Sequence, residues 1–165
     1  MQILTVVGAR PQFIKASAFS RALKKFNESH STNFTETIIH TGQHFDKNMS
    51  EIFFSELEIP KPKYNLNISN LSHGAMTGKM IERLEELFVN EKPDYILVYG
   101  DTNSTLSAAL AASKISIPII HIESGLRSYN MEMPEEVNRV LTDKLSEYLF
   151  CPSRVACENL YKEGI

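Results

Sequence analysis

Excess positive charge is the first thing this sequence lacks. Seventeen Lys and Arg stand against 20 Asp and Glu, a net charge of -3. No basic field is available for wrapping a nucleic acid, so an anionic ligand must be held by a few local groups. Cysteine is scarce. Cys151 and Cys157 are the only two; they lack the paired spacing of a zinc site and are too few for a disulfide framework. They read as free thiols of a reducing compartment, and a cytoplasmic location is expected. No apolar run reaches the roughly 18 residues that suggest a membrane span, and the opening MQILTVVGARP lacks the basic region and long apolar core of a secretory signal. Among five histidines only His40 and His44 fall four apart. They straddle a strand end rather than share a helical face, so no metal site is expected. Internal repeats and low-complexity tracts are also missing.

What is present is an alternation. Short β-branched runs predict strands at Gln2–Val7, Glu36–Thr41, Tyr64–Ile68, Asp94–Tyr99, Pro118–Ile122 and Tyr148–Phe150. Between them, helical spacing of apolar residues predicts helices at Pro11–Phe26, Asn48–Leu57, Ser72–Glu91, Thr102–Lys114, Pro134–Glu147 and Ser153–Lys162. Asn27–Thr35 reads as a polar loop. Asp94–Tyr99 (DYILVY) is almost unbroken apolar, as a strand covered on both faces should be. Strand and helix in strict turn imply an α/β fold, a three-layer, Rossmann-like open parallel sheet with helices on both sides. Such sheets bind ligands at the carboxyl ends of their strands. That rule selects Gly8–Lys15, Thr41–Asp46, Gly100–Thr105 and Glu123–Arg127 for inspection.

Each segment has an ordinary and a chemical reading. Gly8-Ala9-Arg10-Pro11 opens the first helix, where exposed amides with Arg10 and Lys15 favour a phosphate; a plain strand-to-helix turn fits equally. It matches neither G-x-G-x-x-G nor a P-loop. Gly100-Asp101-Thr102-Asn103-Ser104-Thr105 offers five capping residues where a helix needs one. Glu123 would lie beside Asp101 if their strands are neighbours, or pair with Arg127 at the surface. His121, inside an apolar strand, reads as a hydrogen-bonded core histidine. Glu135 and Glu136 suit the first turn of a helix that continues through Asn138 and Arg139. Gln43 and His44 follow the second strand. Ser72 is a reasonable N-cap ahead of His73 and Gly74.

Together, TVVGARPQFIK, HTGQHFD, VYGDTNSTL, HIESGLRS and MPEEVNR resemble, in order and spacing, the non-hydrolysing UDP-N-acetylglucosamine 2-epimerases. The resemblance runs the length of the chain. It implies one lobe of a glycosyltransferase-B-type enzyme built from two nucleotide folds, with residues 1–165 as the N-terminal lobe and a UDP-binding second lobe outside them. It implies interconversion of UDP-N-acetylglucosamine and UDP-N-acetylmannosamine by elimination of UDP to a 2-acetamidoglucal and re-addition. One face of C2 loses a proton and the other gains one, which calls for at least two acid/base groups. The family's three acids fall on Asp101, Glu123 and Glu135. Arg10 and Lys15 match its bases, with Arg127 and Arg139 as further substrate contacts. Gln43 and His44 match positions that hold a second, activating UDP-sugar. No cofactor is implied, and a homodimer is expected.

Two stretches depart from the common pattern. Phe45-Asp46 replaces an Arg followed by Gln or Glu, and Asn70–Lys79 replaces a Pro-Gly-Gln segment. GARPQFIKAS, HGAMTGKM and FCPSRVA instead resemble the enzymes acting on UDP-2,3-diacetamido-2,3-dideoxyglucuronic acid. Three other readings share the fold: a hydrolysing epimerase, a glycosyltransferase acceptor lobe, and a solitary lobe serving interaction alone.

Overall fold

A computed structural model describes residues 1–43, 57 and 59–165. The helix expected at 48–57 lies outside them except for Leu57, as does His44. The elements are β1 (Gln2–Val7), α1 (Arg10–His30), β2 (Thr35–His40), β3 (Tyr64–Asn65), α2 (His73–Glu91), β4 (Tyr95–Tyr99), α3 (Asn103–Lys114), β5 (Ile119–Ile122), α4 (Pro134–Leu145), β6 (Tyr148–Phe150) and α5 (Arg154–Lys162). All six strands pair in parallel in the order β3-β2-β1-β4-β5-β6. The order reverses between β1 and β4, and in open parallel sheets such a switch point marks the ligand-binding crevice at the carboxyl edge.

Strand alternation sorts the core. Leu4, Val6, Ile96, Val98 and Ile119 face α2 and α3, meeting Met76, Met80, Leu84 and Phe88 and the alanines 108, 109, 111 and 112. Those alanines let α3 lie close to both the sheet and α2, where Leu would hold the layers apart. Ile3, Val7, Leu97 and Tyr99 face the opposite side and meet Phe13 and Ala16 of α1. No helix among the described residues is long and apolar enough to cross a membrane.

Two elements differ from expectation. Helix α1 runs to His30, through residues whose polarity suggests a loop. The polar residues sit on the outer face, Phe26 stacks on both His30 and Phe34, and Asn27 braces the return loop by donating to the Phe34 carbonyl and accepting its amide. Strand β3 is two residues rather than five. Beyond it Asn67 adopts a left-handed conformation with its amide on the Asn65 side chain, which ends the strand as a turn.

Candidate active site

The crevice is built from the loops after β1, β4 and β5. The β1 loop is closed on itself. Gln12, 4% exposed, accepts the amides of Gly8 and Ala9 through Oε1. The two amides just ahead of α1 are thus already taken. Gly8 is needed for packing: a Cβ there would lie 2.0 Å from Ser104 Oγ and 2.7 Å from Thr41 Oγ1. Arg10 opens α1 at the exposed rim.

The turn carrying Asp101 is fixed from three directions. Gln12 Nε2 donates to the Tyr99 carbonyl at 2.7 Å, His121 Nε2 to the Gly100 carbonyl at 2.8 Å, and Asn138 Nδ2 to the Asp101 carbonyl at 2.9 Å. Three consecutive carbonyls therefore receive side chains from α1, β5 and α4. Thr102 caps α3 by accepting the Thr105 amide, so Asp101 is not needed as the cap. Its carboxylate is held instead by Arg139. Gln43 braces the same turn from the loop after β2, its Oε1 accepting the Ser104 amide at 3.0 Å and hydroxyl at 2.7 Å.

Glu123 follows β5 with φ +72°, a region that costs a side-chain-bearing residue free energy. Its carboxylate lies against Gly100, 3.2 Å from where a Cβ would stand, and pairs with Lys15. Asp101 and Glu123 thus come from adjoining strand ends, each beside one base. The alternative Glu123–Arg127 pair does not form. The Arg127 side chain is 1% exposed and is held by Asp143 and Glu163 at 2.7 Å each; this guanidinium braces α4 and α5 behind the crevice rather than lining it.

The adjacent glutamates of α4 divide. Glu135 is exposed and has no hydrogen bond or ion pair with another described residue. Glu136 is 1% exposed, accepts the amides of Ser128 and Tyr129 and pairs with Arg139 at 2.7 Å. Burial raises its pKa, but those hydrogen bonds outweigh burial and leave it below the ordinary value. Arg139 is therefore shared between Glu136 and Asp101. His121 is a hydrogen-bonded core histidine, as its strand suggested, with Nδ1 2.7 Å from Asp143 Oδ1. Asp143 also accepts the Gly125 amide. Its pKa too is pushed up by burial and brought below the ordinary range by His121, Arg127 and Gly125. Gln12, Glu136, Asn138 and Asp143 were not singled out from sequence as site-building residues. Buried polar residues inside GARPQ, PEEVN and LTD are the signal that was there to find.

A family model described as UDP-N-acetylglucosamine 2-epimerase matches residues 26–165. The chain is 60% identical over 164 residues to the Pseudomonas aeruginosa UDP-2,3-diacetamido-2,3-dideoxy-D-glucuronate 2-epimerase, covering 99% of this chain and 45% of that protein. The crystal structure of Methanocaldococcus jannaschii UDP-GlcNAc 2-epimerase in complex with UDP-GlcNAc and UDP superimposes with a TM-score of 0.92 at 51% identity, over 100% of this chain and 44% of that one. The Neisseria meningitidis UDP-GlcNAc 2-epimerase bound to UDP-GlcNAc gives 0.88 at 40% identity, over 100% and 43%. The chain spans less than half the length of these relatives, and it belongs to the UDP-N-acetylglucosamine 2-epimerase family.

Proposed function

We propose that this chain is the N-terminal lobe of a non-hydrolysing sugar-nucleotide 2-epimerase and supplies its proton-transfer groups. The observation that carries this reading is the pairing of Asp101 and Glu123 at adjoining strand ends, each against its own base, Arg139 and Lys15. One carboxylate takes the C2 proton while the C1–O bond to UDP breaks, leaving a 2-acetamidoglucal and UDP. UDP then re-adds at C1 while a second carboxyl delivers a proton to the opposite face of C2, so no net oxidation occurs. Glu135, exposed at the start of α4, is the third acid of this set. Arg10 and Lys15 stabilise the departing diphosphate, and Gln43 and His44 contact a sugar nucleotide. Turnover requires a second, UDP-binding lobe, and these 165 residues alone form one wall of the cleft. The protein is a soluble cytoplasmic homodimer in its complete form.

The substrate is UDP-N-acetylglucosamine or its diacetamido-uronic counterpart, the latter favoured by the 60% identity to the Pseudomonas protein. The test is incubation with each sugar in deuterated water, with and without a separately supplied second lobe, following the C2 proton by NMR. Loss of the signal, abolished by Asp101→Asn or Glu123→Gln, establishes the reaction and identifies the sugar. Retention under every combination removes the catalytic assignment. Release of free UDP would point to a hydrolysing enzyme instead.

A further inference from the structure

The Asp101 carbonyl can only accept a hydrogen bond, so the atom of Asn138 that meets it must be its NH2 group. The same nitrogen lies 3.1 Å from Asn103 Oδ1, which fixes the orientation of Asn103. Asn103 then presents its own NH2 group to His73 Nδ1, at 3.0 Å against 3.5 Å for its oxygen. Both asparagines are 5% exposed, so the order of donors along Asp101, Asn138, Asn103 and His73 is set by protein groups. A neutral His73 therefore accepts at Nδ1 and carries its proton at Nε2, which donates to no described residue. His73 lines a groove of about 520 Å³ between the first turns of α2 and α4, walled by Ile81, Pro134 and Val137. Gly74 and Gly78 leave that side of α2 open, since a Cβ on either would meet nothing within 4 Å.

We propose that His73 Nε2–H is a hydrogen-bond donor to the acetamido carbonyl of the bound sugar nucleotide, with the acetamido methyl against Ile81, Pro134 and Val137. An N–H donor beside an apolar wall matches the two ends of that group. The groove is linked to the proposed chemistry by the relay, which ends on the Asp101 backbone, and by α4, whose first turn carries Glu135. The inference rests on the functional reading above and names the residue that reads the N-acyl substituent.

The test uses the ¹⁵N-labelled chain together with the separately supplied, unlabelled second lobe. In the free protein His73 should show a protonated Nε2 and an unprotonated Nδ1, and Asn103→Leu should abolish that preference. UDP-N-acetylglucosamine should then perturb the His73 ring while UDP alone does not, and His73→Phe should weaken binding of the sugar nucleotide about five- to ten-fold while leaving that of UDP unchanged. The opposite tautomer overturns the inference whether or not ligand binds. Perturbation at Asp101 and Glu123 with His73 silent, or an equal response to UDP, overturns it alone. No perturbation of any residue by either ligand overturns the ligand assignment together with the functional reading.

Discussion

Lys15 of α1 and Glu123 at the end of β5, 108 residues apart in sequence, form an ion pair across the carboxyl edge of the sheet. Both side chains are partly exposed, 40% and 29%, so the pair contributes little to stability. Its value lies in aiming the carboxylate. Lys15→Met should shift the melting temperature by no more than a few degrees, as expected for about 1 kcal/mol or less. In the assembled enzyme it should lower C2 proton exchange at least ten-fold. Unchanged exchange, read by NMR in deuterated water, would remove Lys15 from the site.

Glu123 occupies a left-handed backbone position. Glu123→Gly should therefore be about 1 kcal/mol more stable than Glu123→Ala, both lacking the carboxylate. Urea denaturation of the two variants isolates the backbone contribution, and equal midpoints would show that no strain is held there.

Gly8 has no room for a methyl group beside Ser104 and Thr41. Gly8→Ala should cost about 1–3 kcal/mol or more through overpacking. Ser104→Gly in the same chain should recover only part of it, because Thr41 Oγ1 still stands 2.7 Å from the added atom, and Ser104→Ala should recover less, because Ser104 Cβ itself stands 2.8 Å away. Recovery by Ser104→Ala would place the clash on the hydroxyl alone.

Glu136 has a depressed pKa from an ordinary value of 4.5. A depressed carboxyl contributes stability that is fully present above the unfolded value and is lost as pH falls through the folded one. Glu136→Gln should lower stability by about 1–2 kcal/mol at pH 7, because the largely buried Arg139 loses one of its two carboxylate partners. The gap between variant and wild type should close as the pH falls below 4.5. A gap that persists unchanged at low pH would show that packing, rather than charge, holds the α4 terminus.

His121→Gln keeps a donor in reach of the Gly100 carbonyl, and His121→Phe keeps only volume. Amide exchange at Gly100, Asp101 and Thr102 should accelerate strongly in the Phe variant and little in the Gln variant. Equal rates in both would mean that β-strand pairing alone holds the turn.

Much of this architecture was legible in the chain. Runs such as YILVY in β4 and the alanines of α3 specify their elements locally, because apolar periodicity and side-chain size act over a few residues. Strict alternation of strand and helix then leaves few topologies open. The end of α1 and the shortness of β3 were not legible, since Phe26 stacking on Phe34 and the turn at Asn67 are decided by neighbours rather than composition.

Within the site, the family resemblance rather than any single segment singled out Asp101, Glu123 and Glu135. Which base meets which acid was beyond it. Arg127 stands four residues from Glu123 yet turns inward to Asp143 and Glu163, while Lys15 arrives from another helix. Ion pairing is settled by where strand ends and helices converge, and burial selects the partner whose geometry satisfies the most donors. Local patterning thus specified the layered fold and the strand ends that carry Asp101 and Glu123. The partners of those acids and the side-chain frame around Asp101 were set by the folded chain, because hydrogen bonds and ion pairs between residues 21 to 108 positions apart exist only once the sheet has closed the distance.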